Sequence, residues 1–278
     1  MKLALCNEIL EKRDLAAQCE YAAALGYAGL ELAPYTLGEA PHLMPAAQRR
    51  EIRETVAAAG LSVCGLHWLL VAPEGLSLTD PDREVRRRTV AVMRDLAQLC
   101  ADLGGEVLVH GSPRQRWLPD DTEAARTARA WAIEAFAAAG DAALAAGVTY
   151  CIEALAPPHA NFITSVAEAA AIVDEIGNPA LRTMIDTGAA RANPDESPVE
   201  ALIARWLPSG HAVHVQLRDR TRRGPGLGED DFAGVLQALS AVNYAGWLSV
   251  EPIDLAPDGA AVAAFCAGYL KGLQASSG

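Results

Sequence analysis

Hydrophobic and polar positions alternate along the chain in two textures. Short apolar runs occupy Leu3–Asn7, Tyr27–Ala33, Leu61–His67, Glu106–His110, Val148–Ala154, Leu181–Asp186, Ala212–Leu217 and Trp247–Glu251. Their length and composition predict strands. Longer Ala-, Leu- and Arg-rich stretches with helical periodicity lie between them. Phe232, Val235, Leu236 and Leu239 repeat at i, i+3, i+4 and i+7, which predicts a helix from about Asp231 with one buried stripe. Thr79-Asp80-Pro81 marks the start of a helix over Arg83–Leu103, and Ser165 with Glu168 forms a capping box. Gly26, Gly60 and Gly147 stand where helices should end. Eight strand-helix cycles give about 35 residues per unit, the scale of a (β/α)8 barrel. A single barrel over residues 1–278 is therefore expected, with Arg191–Pro198 as one of its loops. A doubly wound sheet is the alternative, but Cys6-Asn7-Glu8-Ile9 is not the glycine-rich turn that such a sheet carries after its first strand.

Composition narrows the class. The 278 residues are 51% hydrophobic, with 23 basic against 35 acidic side chains and a formal charge of −12. That suits a soluble protein with a large core and excludes disordered and fibrous classes. The negative balance argues against nucleic acid and membrane surfaces as partners. Trp131–Tyr150 is Ala-rich but broken by Glu134, Asp141 and two glycines, so it is not a membrane span. The opening MKLALCNEILEKRD reads as mature protein, and six scattered cysteines read as free thiols. A cytoplasmic setting is expected.

In a parallel barrel, chemistry gathers at the C-terminal strand ends. The last four strands end in Glu153, Asp186, Gln216 and Glu251, spaced by 33, 30 and 35 residues. One such carboxylate is readily satisfied by an Arg or a backbone amide. Three in apolar strand contexts need a shared cation, and a hard divalent ion such as Mg²⁺ or Mn²⁺ is the simplest one. His214 and Asp219 flank Gln216 closely, and a two-residue shift would exchange them.

These residues resemble the xylose isomerase-like TIM barrels of the sugar phosphate isomerase/epimerase superfamily. The matches are Cys-Ile-Glu153, Met-Ile-Asp186-Thr-Gly, His214-Val-Gln216-Leu-Arg-Asp, the loop Pro225–Phe232, and Tyr-Ala-Gly-Trp-Leu-Ser-Val-Glu251-Pro. The resemblance covers essentially the whole chain. It implies that Glu153, Asp186, Gln216 and Glu251 hold one metal ion (Mn²⁺ or Mg²⁺, with Co²⁺ or Zn²⁺ as substitutes) and that the two glutamates exchange protons with substrate. It also implies a substrate contact for Arg222 and assembly as a homodimer or homotetramer. Gln216 stands where ketose 3-epimerases carry His, although hydroxypyruvate isomerase-like members have Gln there. Ala189 stands where the epimerases often have His.

Such a site supports proton abstraction beside a ketone through a metal-bound enediolate. A second carboxylate on the opposite face makes an epimerase of a small keto-sugar or keto-polyol. Transfer on one face makes an aldose-ketose isomerase, and loss of a β-hydroxyl makes a lyase. A phosphodiesterase like the AP endonucleases and a non-catalytic sugar-binding barrel are further alternatives. His67-Trp68 at the end of strand three, His110 at the end of strand four, and Glu8 and Glu31 at the ends of strands one and two are candidate sugar contacts. His214, two residues before Gln216, is expected to support the ligands from below. Arg114 and Arg116 are lesser candidates, and Arg86-Arg87-Arg88 reads as a solvated helix face.

Overall fold

The computed structural model describes residues 1–276. Eight parallel strands close into a barrel in sequential order. They are β1 (Lys2–Cys6), β2 (Gly29–Leu32), β3 (Ser62–Leu66), β4 (Val107–His110), β5 (Thr149–Ile152), β6 (Leu181–Asp186), β7 (Ala212–Leu217) and β8 (Trp247–Val250). Each lies within one or two residues of its predicted position. Around them stand α1 (Leu15–Ala24), α2 (Ala46–Ala58), α3 (Arg83–Leu103), α4 (Thr122–Ala146), α5 (Val166–Ile176), α6 (Thr187–Ala192), α7 (Val199–Trp206), α8 (Ala233–Ala241) and α9 (Gly259–Ser276). The doubly wound alternative is excluded by closure: β1 pairs with β8 through Leu3↔Leu248 and Leu5↔Val250.

Three local expectations are corrected. The cap of α3 is Asp82, whose side chain accepts from Glu84 N at 2.8 Å, while Asp80 accepts from Asp82 N one turn earlier. The helix expected from Asp231 begins at Ala233, with Asp231 Oδ1 accepting from its N–H. The link from β6 to β7 holds two helices, because Asp186 itself caps α6 while Pro194 and Pro198 interrupt the chain before α7. The predicted loop thus starts at Asn193 rather than Arg191.

Side-chain alternation splits each strand between two cores. Leu3, Leu5, Leu30, Leu66, Leu108, Ile152, Ile185, Val215, Leu248 and Val250 pack outward with the helices, each buried side chain contributing roughly 1.5–3 kcal/mol. Inside the barrel lie Val107, Val109, Cys151 and Met184, with Ala4, Cys64 and Trp247 as a second group. Trp247 closes the N-terminal end, donating from Nε1 to Glu106 at 3.1 Å beneath the Lys2 ammonium. All six cysteines are buried and free. No helix among the described residues is long and apolar enough to cross a membrane.

Candidate active site at the C-terminal rim

The interior files continue upward into polar residues. Glu153 follows Cys151 by two positions, Asp186 follows Met184, Gln216 follows His214, and Glu251 follows Ser249. The structure therefore brings the four predicted residues to one rim, with Glu153 and Glu251 7% exposed, Asp186 3% and Gln216 0%. Burial, reinforced by Asp186 and Glu251, pushes the Glu153 carboxyl well above its usual range. Burial likewise lifts Glu251 to about 7, with His67 opposing the rise. Glycine at 111 makes room here, since a methyl group there would collide with Oε2 of Glu153.

Arg218, not among the predicted site residues, lies in the middle of this group. Its Nη2 donates to Asp186 Oδ2 at 2.9 Å and its Nε is 4.0 Å from Glu251 Oε2. Alternation was the available signal: the residue two beyond an inward Gln216 also points inward.

Below the rim, Glu31 is completely buried and is not a sugar contact. His214 Nε2 lies 3.1 Å from Glu31 Oε2, and Gln216 Nε2 donates to Glu31 Oε1 at 3.4 Å. Burial alone would raise the Glu31 carboxyl, but His214, aided by His67 and Ser249, carries it down to about 2. Because Glu31 takes the amide nitrogen, Gln216 Oε1 is left as a buried acceptor without a protein partner. His214 thus lies beneath Gln216 and is linked to it through Glu31.

The remaining predicted contacts fare differently. His67 is buried between two carboxylates, with Nδ1 3.2 Å from Glu251 Oε1 and Nε2 3.0 Å from Glu8 Oε2. It positions Glu251 rather than presenting a stacking face. Burial opposes its charge, yet Glu8 and Glu251 raise its pKa well above the imidazole range. Trp68 follows in the left-handed region at φ 52°. His110 is a correction. Val107 and Val109 face inward, so His110 faces the helices, where Nδ1 is 2.7 Å from the Tyr150 hydroxyl and the ring packs edge-on against Phe136. Burial and the Arg116 charge hold its pKa well below the imidazole range.

Arg116 is fully buried and donates from Nη2 to the Glu153 carbonyl at 2.8 Å, so it braces the end of β5 from behind. Arg222 is exposed at the mouth, and its carbonyl accepts from Ile253 and Asp254 N at 2.8 Å, tying the loop after β7 to that after β8. Asp219 accepts from Thr221 and Asp230 and organises its own loop. The Arg86–Arg88 run is only partly a solvated face: Arg86 covers Trp131 and Arg88 anchors the carbonyls of Glu74 and Gly75.

The donor set suits a hard divalent cation: three carboxylates crowded in a low-dielectric rim and one orphaned amide oxygen, all oxygen ligands. Among the described residues, the His, Cys, Asp and Glu atoms that approach within 4.8 Å as a trio are instead Cys6, Glu8 and His67. Burial raises the Cys6 thiol well above its usual pKa.

A profile of the xylose isomerase-like TIM barrel matches residues 19–266. The chain belongs to this family. An L-ribulose 3-epimerase from Mesorhizobium japonicum is 28% identical over 178 residues, 63% of this barrel and 57% of that enzyme. The chain spans 57% to 62% of the length of the curated relatives it matches. The E. coli 3-keto-D-glucoside 4-epimerase superposes with a TM-score of 0.80 at 18% identity, covering 99% of both chains. The D-psicose 3-epimerase of Clostridium cellulolyticum, solved with D-tagatose, gives 0.80 at 20% identity and the same coverage. At these identities the structural likeness establishes the xylose isomerase-like fold.

Proposed function

We propose that this barrel is a divalent-metal-dependent epimerase or isomerase of a small keto-sugar or keto-polyol. The observation that carries the reading is the placement of Glu153 and Glu251. They follow β5 and β8, three places apart in a ring of eight strands, so they approach the same rim from different sides. The curated relatives named as ketose 3-epimerases support it. Glu153, Asp186, Gln216 and Glu251 would hold the ion, Mn²⁺ or Mg²⁺, with Co²⁺ or Zn²⁺ able to replace it. Bound there, it would supply Lewis acidity to a ketone oxygen. One glutamate removes the proton from the neighbouring carbon and the other returns a proton on the opposite face. His67 fixes the orientation of Glu251, and Arg116 that of Glu153. Trp68, Glu8 and Arg222 are the proposed sugar contacts. The buried thiols fit a cytoplasmic setting.

The test is solvent-deuterium exchange with Mn²⁺ over ketoses, inososes and 3-keto-glycosides. Deuterium should enter a carbon next to the ketone of at least one sugar, and E153Q and E251Q should each lower that rate about 10²-fold or more. Water loss would make the protein a lyase, and tight sugar binding without exchange would make it a binding barrel.

A further inference from the structure

The Arg218 guanidinium lies against two of the carboxylates proposed to hold the ion. It is a buried charge in contact with Asp186 Oδ2 and close to Glu251 Oε2, and among the described residues the three carboxylates do not form a trio of atoms within 4.8 Å. Its Nε is buried without a hydrogen-bond partner, so the guanidinium is only partly satisfied. Its backbone, by contrast, is clamped. Thr187 Oγ1 donates to Arg218 O at 2.8 Å and accepts from Arg218 N at 2.9 Å, and Gly188 packs against the same peptide. Any yielding therefore falls to the flexible side chain. A guanidinium and a divalent ion drawn to the same carboxylates repel each other strongly at such separations.

We propose that Arg218 is the cation of the metal-free site, displaced when a divalent ion binds, so that the two are alternative partners of Asp186 and Glu251. The proposal rests on the metal-dependent reading above. Arg218 keeps the carboxylates compensated in the metal-free protein and weakens metal uptake by the cost of its own displacement.

Mn²⁺ titrations followed by the EPR signal of free Mn²⁺, with thermal unfolding of the metal-free proteins, test it. Relative to wild type, R218M should bind Mn²⁺ at least about tenfold tighter, because the competitor is gone. Its metal-free form should melt lower, and Mn²⁺ should close that gap. R218K, which keeps a charge, should stay near wild type. If R218M does not fold without metal, R218Q carries the same expectation. Equal or weaker Mn²⁺ affinity in the folded neutral variant overturns the proposal alone. A wild-type protein that binds none of Mn²⁺, Mg²⁺, Co²⁺ or Zn²⁺ removes the metal reading and this proposal with it.

Discussion

Gln216 presents its amide oxygen to the proposed ion because Glu31 engages its nitrogen. Replacing Glu31 by Gln offers a neutral partner that accepts or donates, so the Gln216 amide can turn. Glu31→Gln is expected to weaken Mn²⁺ binding about 10-fold or more, measured by titration. The same change tests stability. The Glu31 carboxyl falls from 4.5 to about 2, so its contribution is complete above 4.5 and is lost as pH falls toward 2. Wild type should exceed E31Q by roughly 3 kcal/mol in urea unfolding at pH 7, with the gap narrowing at pH 3. At this scale, legibility followed parity. Glu153, Asp186, Gln216 and Glu251 were readable because each ends an inward file, whereas His110 ends an outward one and no spacing argument alone reveals that. The paired change His110→Phe with Tyr150→Phe, which removes both hydrogen-bond partners together, is accordingly expected to leave the substrate KM within about 2-fold of wild type. A rise of ten-fold or more would return His110 to the sugar site.

Elements were legible wherever one local signal sufficed. Ser165 Oγ accepts from Glu168 N at 3.1 Å, and the Glu168 carboxylate reaches back to Thr164 N at 2.8 Å, one residue before the partner of an ordinary capping box. Gly147 ends α4 in the left-handed region at φ 73°, the conformation that favours glycine. Signals failed where two competed. Asp80 and Asp82 are both good caps, and the structure uses Asp82. A carboxylate at the end of β6 reads as a ligand, yet Asp186 Oδ1 also caps α6 at 2.7 Å, which leaves Oδ2 for Arg218 or an ion. Ser165→Ala should cost about 1 kcal/mol in chemical denaturation, with little change in Mn²⁺ affinity, because α5 starts beyond the rim residues. A loss well above about 2 kcal/mol would mean that the cap also holds the loop from β5.

On the scale of the whole molecule, the formal −12 hides an uneven distribution, since two of its acids, Glu153 and Glu251, sit buried at the rim where burial resists their ionisation. Folding carries a pH dependence of definite sign as a result. Glu251 rises from 4.5 to about 7 in the fold, and Glu153 rises as well, so the folded metal-free protein binds more protons than the unfolded chain across that interval. His67, also raised, adds proton binding above 6.5. Stability of the metal-free protein must therefore fall as pH rises from about 5 to 8, by roughly 3 kcal/mol from Glu251 alone. A divalent ion held as proposed would reverse the preference, because it would bind the ionised carboxylates and release their protons. Mn²⁺ affinity should strengthen as pH climbs through 7. Calorimetry in buffers of different ionisation enthalpy should find protons released at pH 6 and fewer at pH 8. A melting temperature for the metal-free protein that rises from pH 5.5 to 8, together with Mn²⁺ binding that releases no protons at pH 6, would show that Glu153 and Glu251 are already ionised in the metal-free fold.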